Sequence, residues 1–340
     1  MAKTYKNIYQ HVYSFEALHA AYLRARKGKR YRAEVLRFAS SLEENIIQLQ
    51  NELMWKTYQT GEYREFFVYE PKLRTVAALP FRDRVVQHAL VAAIEPIWEA
   101  RFIFDSYACR PGKGTHAGAD RAQFLLRKVQ RHYGKAYVLK ADIHHYFASI
   151  DHAVLKSLLR EKIACRDTLW LLDSIINSTD GVGIPIGNLT SQLFANIYLH
   201  ELDIFAKHGL SECNYMRYMD DFIVVHHDKQ HLQTARRNIE QFLSDNLRLT
   251  TNRKTQVFPV ARHQGRALDF LGYKIWPTHR LLRKDSVRKM RQKLRLFRAG
   301  KISGATMVVS IRSWIGHASH ANTFNLRQKL AAPKREVLKR

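Results

Sequence analysis

Residues 214–227 read NYMRYMDDFIVVHH, an apolar segment interrupted by two adjacent aspartates. Apolar and aromatic residues flank Asp220 and Asp221, which predicts two short strands joined by a tight turn. Side chains alternate along a strand, so only a turn can direct both acids to one centre. The simpler alternative is an ordinary polar turn, in which aspartate is favoured. That alternative does not account for the flanking Tyr218 or for an apolar strand on each side.

Two adjacent carboxylates disfavour double ionisation unless a cation lies between them. Oxygen ligands of this kind suit Mg²⁺, which takes one or two carboxylates together with waters and phosphate oxygens. A further acid is expected across the sheet, and Asp142 is the candidate because it ends the apolar run AYVLKADI. Carboxylates on strands about 4.8 Å apart can share two ions about 3.5–4 Å apart. A strand-end cap remains the alternative for Asp142.

The charge of the chain indicates a polyanionic partner. Fifty-six Lys and Arg stand against 30 Asp and Glu in 340 residues, a formal net charge of +26. Nucleic acid is the usual partner of such a surface, because neutralised phosphates release condensed counterions. A merely solvated basic surface is the alternative. A hydrophobic content of 46% excludes general disorder.

Membrane insertion and secretion are not expected. No run approaches the roughly 18 apolar residues that cross a bilayer, and the N-terminus has no apolar signal segment. The three cysteines are far apart and odd in number, so they indicate neither a disulfide framework nor a zinc site. These features together predict a cytoplasmic protein.

Hydrophobic periodicity predicts the elements around the acidic turn. Asp151 is a predicted helix N-cap. Helices are predicted over 14–60, 82–98, 191–206 and 232–246, a hairpin over 64–80, and strands over 257–260 and 268–276.

A basic segment follows Pro277. Residues 280–301 hold ten Lys or Arg and one acid, Asp285. Val287, Met290, Leu294 and Phe297 fall on one helical stripe, which predicts an amphipathic helix. Its basic face suits a phosphate backbone, although a solvated face is the alternative.

Several segments together resemble the ordered motifs of reverse transcriptases. KADIHHYFASIDH, GIPIGNLTSQLFANIYL and YMRYMDDFIVV resemble motifs A, B and C. EPKLRTVAALPFRDRVVQHAL and YACRPGKGTHAG resemble the fingers motifs, LTTNRKTQV resembles motif D, and FLGYKIWP resembles the primer-grip hairpin. The resemblance covers about residues 63–320. It implies an α+β right-hand polymerase with fingers, an antiparallel palm sheet and a small helical thumb.

The motif B segment distinguishes this chain from most reverse transcriptases and resembles that of one subfamily. Most relatives, including group II intron and retron enzymes, carry Pro-Gln-Gly and then Ser-Pro, whereas this chain has Pro185-Ile186-Gly187 and then Ser191-Gln192. That pairing resembles the reverse transcriptases of diversity-generating retroelements, which are found in phages and bacteria. The resemblance implies error-prone copying of a template-repeat RNA at adenines, so that the cDNA diversifies a target gene in the bacterial or phage-infected cell.

The resemblance also implies partners and domain bounds. The partners are the template-repeat RNA, an RNA/DNA hybrid, dNTPs and a homo-oligomeric accessory variability protein. Residues 1–110 and 152–186 are expected in the N-terminal helices and fingers, 111–151 and 187–278 in the palm, and 279–340 in a basic thumb. The 63 residues after Pro277 are too few for an RNase H domain of usual size. A retron-like or group II intron-like enzyme and a catalytically dead RNA-binding scaffold remain alternatives.

Site roles follow from the matched motifs. Asp142, Asp220, Asp221 and the Ile143 carbonyl are expected to hold two Mg²⁺ ions, with Mn²⁺ as a substitute. Phe147 matches the steric gate that excludes ribonucleotides, with an ordinary core aromatic as the alternative. Lys72 and Arg74 are expected to bind the triphosphate. Lys254 is expected to protonate or stabilise the leaving pyrophosphate, with a solvated surface lysine as the alternative.

Ile186 is the most informative departure from the family pattern. Glutamine at this position can hydrogen-bond near the incoming nucleotide, whereas isoleucine offers only shape. The loss of polar contacts removes a source of discrimination between correct and incorrect nucleotides. Ile186 is therefore expected to lower fidelity, with Gln192 in a related role; a packed residue beside the nucleotide pocket is the alternative for Ile186.

Overall fold

A computed structural model describes residues 3–69 and 73–331. The helices are α1 (Gln10–Tyr13), α2 (Phe15–Ala25), α3 (Ala33–Ser40), α4 (Leu42–Met54), α5 (Phe81–Glu99), α6 (Thr115–Tyr133), α7 (Tyr146–Ser149), α8 (His152–Arg160), α9 (Arg166–Ile176), α10 (Leu189–Ile204), α11 (Lys229–Leu247), α12 (Lys284–Arg298), α13 (Gly304–Ala318) and α14 (Phe324–Ala331). The strands are β1 (Arg64–Val68), β2 (Arg74–Ala78), β3 (Tyr137–Asp142), β4 (Tyr215–Tyr218), β5 (Asp221–His226), β6 (Gln256–Pro259), β7 (Leu268–Phe270), β8 (Tyr273–Ile275) and β9 (Arg280–Leu282).

The N-terminal region is helical as predicted, but the run over 14–60 is interrupted. It consists of α2, α3 and α4, with a break at residues 26–32 where Gly28 has φ +72°. The Ser14 hydroxyl caps α2 by accepting the Ala17 N–H over 3.2 Å. Asp151 caps α8 in the same way, through the Val154 N–H at 3.0 Å, which confirms that prediction.

The hairpin and the buried helix that follow it are also confirmed. β1 and β2 are antiparallel, with Arg64 opposite Ala78 and Val68 opposite Arg74. α5 then runs through the core and packs against α2 and α10. Within the described residues, no helix has the length and apolar character needed to cross a membrane.

A four-stranded antiparallel sheet lies at the centre, in the order β4-β5-β3-β6. Its two faces are both covered, because the strands are apolar on both sides. Val138, Ile223 and Val225 pack with α6 on one face. Leu139 and Val224 pack on the other face, in the core that contains α10 and α11. The sequence predicts all four strands, although their ends differ by one or two residues.

A smaller sheet, β7-β8-β9, continues into the C-terminal helices. The predicted basic helix over 280–301 begins later than expected, since residues 280–282 pair with β8 as strand β9. The helix is α12, and Met290 is the buried member of its apolar stripe, at 5% exposure. Phe297 at the end of that stripe is 42% exposed. α12 packs against α13, and Val287 of its apolar stripe packs against the core cluster that contains β7, β8 and β9.

Candidate active site

The acidic pair lies in the turn between β4 and β5, as the sequence predicts. Tyr218 pairs with Asp221, which leaves Met219 and Asp220 as the two turn residues. Met219 has φ +55°, in the left-handed region that few non-glycine residues adopt. The turn therefore directs consecutive side chains in a way that a continuous strand could not.

Asp142 lies across the sheet from this turn. It is the last residue of β3 and pairs directly with Asp221 of β5. Directly opposed residues of an antiparallel pair project to one face, with Cβ atoms about 4.5–5.5 Å apart. The structure thus brings Asp142, Asp220 and Asp221 to one end of the central sheet.

The electrostatics of Asp220 reflect this convergence. Burial raises its pKa to about 6, and the negative charges of Asp142 and Asp221 add to the shift. The guanidinium of Arg74 opposes the shift, which places the β1–β2 hairpin within electrostatic reach of the carboxylates. A buried carboxylate beside two others is the electrostatic environment that a divalent cation stabilises.

A buried ion pair that the sequence analysis does not predict holds the acidic turn. The Arg217 guanidinium donates to both Asp203 oxygens, at 2.7 and 2.6 Å, and neither side chain is exposed. It also donates to the Met219 carbonyl at 2.9 Å, inside the turn. Tyr215 donates its hydroxyl to Asp203 at 2.7 Å. An arginine in an otherwise apolar strand was the available signal, because a buried charge requires a partner.

A cavity of about 440 Å³ lies beside the carboxylates. Its lining includes Asp142, Asp221, Asn252 and Lys254, so the predicted motif D lysine faces the same space as two of the acids. Lys140 lies 3.8 Å from Asp221. Further cations at the rim are Arg266, Lys274 and Arg283. The mixture of carboxylates and cations suits an anionic ligand that arrives with metal ions.

The loop that carries the predicted motif B lies against the β1–β2 hairpin. The Ala77 N–H of β2 donates to the Ile186 carbonyl over 2.9 Å. The next residue, Gly187, has φ +131°, and a Cβ there would lie 2.6 Å from the Ala77 carbonyl oxygen. Glycine is required at this position both by the backbone angle and by the close approach of β2.

The remaining predicted site residues lie around this loop with different exposures. Ile186 is 37% exposed. Phe147 is half-buried against the core, and its carbonyl accepts the Ile184 N–H at 2.8 Å. Gln192 is exposed near the start of α10. Lys72 lies outside the described residues, so its predicted triphosphate contact stays a prediction.

The acidic residues fit a magnesium site that is completed by water and substrate. Asp142, Asp220 and Asp221 are oxygen ligands, and burial together with mutual repulsion favours a cation among them. Ile143 follows Asp142 with a buried side chain, and its role as a carbonyl ligand stays a prediction. Within the part of the chain that the structure describes, no three or more His, Cys, Asp or Glu side chains form a preassembled metal site.

A family profile described as "Reverse transcriptase (RNA-dependent DNA polymerase)" matches residues 69–275, which is more than half of the chain. The chain belongs to the reverse transcriptase family. Its class is RNA-directed DNA polymerase, and its helices and antiparallel sheet form the right-hand polymerase fold that the motifs predict.

Two relatives show how far the similarity extends. Protein YkfC of Escherichia coli is 27% identical over 281 residues, which cover 70% of this reverse transcriptase and 71% of YkfC. The group II intron-encoded protein LtrA of Lactococcus lactis is 29% identical over 176 residues. That match covers 48% of this chain but only 28% of LtrA.

Solved telomerase structures resemble the fold more distantly. Truncated apo telomerase from Candida tropicalis gives a TM-score of 0.49 at 14% identity and covers 67% of this chain and 55% of that one. Telomerase from Candida albicans, bound to a telomeric RNA fragment, gives a TM-score of 0.46 at 12% identity. That match covers 67% of this chain and 46% of the telomerase chain. The reverse transcriptase thus spans about half of these telomerase chains, and its family rests on the profile match.

Proposed function

We propose that this reverse transcriptase is the error-prone enzyme of a diversity-generating retroelement. It copies a template-repeat RNA into cDNA with errors at adenines, and the cDNA diversifies a target gene by mutagenic retrohoming. The observation that carries the proposal is Ile186, which stands where most relatives have glutamine and which touches the fingers strand through its carbonyl.

The chemistry proposed is two-metal nucleotidyl transfer. Asp142, Asp220, Asp221 and the Ile143 carbonyl would hold two Mg²⁺ ions, for which Mn²⁺ could substitute. When bound, these ions activate the primer 3′-hydroxyl and neutralise the leaving pyrophosphate. The chain itself sets the geometry, since the β3–β5 register places the carboxylates side by side.

Basic residues of the fingers and of motif D would bind the triphosphate. Arg74 is exposed at the start of β2 and lies close enough to Asp220 to lower its pKa. A guanidinium there is suited to bidentate phosphate contact. Lys254, from the cavity beside Asp142, would donate a proton to the pyrophosphate or stabilise its charge. Lys72 would join Arg74 at the phosphates.

Phe147 and Ile186 would decide which nucleotide is accepted. A ring at Phe147 would lie under the sugar and exclude a 2′-hydroxyl. Ile186, with Gln192 nearby on α10, would shape the pocket without hydrogen bonds that test the template base. A difference of about 1.4 kcal/mol in transition-state stabilisation changes the misincorporation ratio tenfold.

The setting proposed is the cytoplasm of a bacterial or phage-infected cell. There the enzyme would act on an RNA/DNA hybrid with a homo-oligomeric accessory variability protein. The net charge of +26 supports an RNA partner, because counterion release favours it.

A group II intron-like or retron-like enzyme is the second candidate. The 29% identity to the group II intron-encoded protein LtrA favours the intron class. Motif B favours the first candidate, because Ile186 and Gln192 replace the usual glutamine and proline. A catalytically dead RNA-binding scaffold is opposed by the intact set of three carboxylates.

Primer extension on a defined RNA template, followed by sequencing of the cDNA, tests the proposal. Wild-type enzyme should misincorporate mainly opposite adenine, and Ile186→Gln should lower those errors about tenfold. Val182→Gln is the matched control, because Val182 is an exposed β-branched residue of the same loop, at 58% exposure. Uniformly low error at all four template bases would favour the intron-like candidate, and no cDNA at all would favour the scaffold.

A further inference from the structure

A second cavity lies at the other end of the central sheet. It encloses about 860 Å³ between the C-terminal half of α6 and the β4–β5 end that carries Asn214 and His226. Tyr137 pairs with His226 at this end, whereas Asp142 pairs with Asp221 at the catalytic end. Five residues of antiparallel strand separate the two pairs by about 17 Å. The cavity is therefore distinct from the acidic site.

Four aromatic rings lie in contact along the cavity, as two stacked pairs joined by a tilted contact. Tyr133 stacks on His227 with ring centroids 3.8 Å apart and planes at 11°. His227 lies 4.3 Å from His226, which stacks on His231 at 4.0 Å. His231 ends the stack in a 2.6 Å hydrogen bond with the buried Glu212. Tyr133 at the other end is 49% exposed, so a further flat ring can stack on this series.

The wall beside the stack is basic and aromatic. Phe124, Arg127, Lys128 and Arg131 line the cavity from α6, at the spacing that places residues on one helical face. All four side chains are exposed. The cations would follow a phosphate backbone while the rings receive bases, which is how proteins bind unpaired strands.

Two polar atoms of the lining have no partner in the described part of the chain. They are the side-chain amide oxygen (Oδ1) of Asn214 and His227 Nδ1, and both are buried. Buried polar atoms are almost always hydrogen-bonded, so an absent partner is indicated. An acceptor beside a ring nitrogen matches the donors and acceptors on the edge of a base. A protein partner would instead favour an apolar groove with few cations.

We propose that this cavity is a second RNA site, which binds a single-stranded segment by stacking on the Tyr133–His231 rings. The site would hold RNA outside the catalytic cleft, so that bound RNA stays on the enzyme while the hybrid moves through the active site. This inference is independent of the error-prone copying proposed above. It requires only that the enzyme encounters RNA.

The site can be tested with a 12-nucleotide RNA that contains 4-thiouridine, by photocrosslinking and by binding measurements. Both assays use the full chain with a saturating RNA/DNA hybrid in the catalytic cleft. Crosslinks should map to peptides that contain Tyr133 or His227. Tyr133→Ala should weaken binding of this RNA about tenfold by fluorescence anisotropy. Tyr31→Ala is the control, because Tyr31 is an exposed tyrosine elsewhere, at 78% exposure. Extension of a short primer–template should be unchanged in both variants.

A second set of variants tests the basic wall of the cavity separately from the aromatic rings. Lys128→Gln/Arg131→Gln removes two exposed cations and should reduce the slope of log affinity against log salt by about 1.4. Lys27→Gln/Arg30→Gln makes the same change in net charge on the exposed α2–α3 connection. Equal losses in both double variants, or crosslinks confined to the catalytic end, would overturn the proposal. Wild-type affinity in both Tyr133→Ala and the first double variant would also overturn it.

Discussion

Gly187 lies so close to β2 that a methyl group on its α-carbon would stand 2.6 Å from the carbonyl oxygen of Ala77. A hydrogen bond from the Ala77 N–H to the Ile186 carbonyl, one residue before Gly187, also holds the loop against β2. The motif B loop and the fingers hairpin therefore position each other. A change at residue 187 would be transmitted to Ile186 and to Arg74 on the hairpin.

Gly187→Ala should separate this loop from the hairpin. The positive φ and the clash together cost about 1–3 kcal/mol, and we expect the enzyme to relieve them by moving the loop. The catalytic efficiency for dNTP incorporation should fall at least tenfold, mainly through a higher KM. Steady-state primer extension at varied dNTP concentration measures this.

Gly114→Ala is the matched control for that variant. Gly114 has φ +128°, nearly the angle of Gly187, but a Cβ there would meet nothing within 4 Å. Both variants carry the strain of the backbone angle, whereas only Gly187→Ala carries the clash. If the two variants lose activity equally, the contact with Ala77 has no role in nucleotide binding.

The Arg217–Asp203 pair should be essential both for stability and for the acidic turn. Arg217→Met leaves Asp203 buried without its partner, which should lower the free energy of unfolding by about 3–5 kcal/mol. Urea unfolding measures the loss. Arg288→Met, which breaks an exposed pair with Asp285, should cost less than about 1 kcal/mol.

A double variant distinguishes stability from positioning. Arg217→Met/Asp203→Leu removes both buried charges and should recover much of the stability. It should not recover activity, because the hydrogen bond from Arg217 to the Met219 carbonyl is still absent. Recovery of wild-type primer extension would show that Arg217 serves the core alone.

The raised pKa of Asp220 predicts a pH dependence of stability in the metal-free protein. Burial and the neighbouring acids raise that pKa to about 6, above its ordinary value of 3.8. The folded state therefore favours protonated Asp220, and stability declines as pH rises from about 4 to 6. Asp220→Asn removes the cost of ionising Asp220 in the folded state, which is roughly 3 kcal/mol of unfolding free energy at neutral pH.

Thermal unfolding in EDTA checks the direction of this pH dependence of stability. Asp220→Asn should melt several degrees above wild type at pH 7.5, and the difference should vanish below pH 4. Added Mg²⁺ should narrow the difference at pH 7.5 by stabilising wild type alone. Asp285→Asn, an exposed aspartate on α12, is the control and should show no such trend. A constant difference at every pH would contradict the assigned shift.

Phe147→Ala should admit ribonucleotides. Loss of the ring removes the group expected under the sugar, so discrimination against rNTPs should fall at least tenfold in single-nucleotide incorporation. Phe242→Ala is a suitable control, because Phe242 is also a half-buried ring packed on the core but stacks on Phe205 at 4.2 Å. Undiminished rejection of rNTPs would make Phe147 a packing residue.

The sequence predicts local features of the site well and long-range partners poorly. The strand–turn–strand around Asp220 and the strand that ends at Asp142 are readable, because period-2 apolar runs and turn residues are local signals. The break near Gly28 has a local signal, because glycine with a positive φ commonly ends a helix, whereas the short strand β9 exists only through its pairing with β8. Arg217 and Asp203 lie on a strand and a helix 14 residues apart, and Ala77 and Ile186 are 186 − 77 = 109 residues apart. The strand around Arg217 indicates that a partner is needed, but no single element contains both members of either pair.

Primer extension with variants of the acidic site tests whether these carboxylates carry the polymerase chemistry. Asp142→Ala and Asp221→Ala should each reduce Mg²⁺-dependent dNTP incorporation to background. The dissociation constant for RNA, measured by fluorescence anisotropy, should stay within about twofold of wild type, which is a change of roughly 0.4 kcal/mol in binding free energy. Asp245→Ala, at an exposed position of α11, should extend primers like wild type. Retained synthesis in either Asp142→Ala or Asp221→Ala would contradict the account.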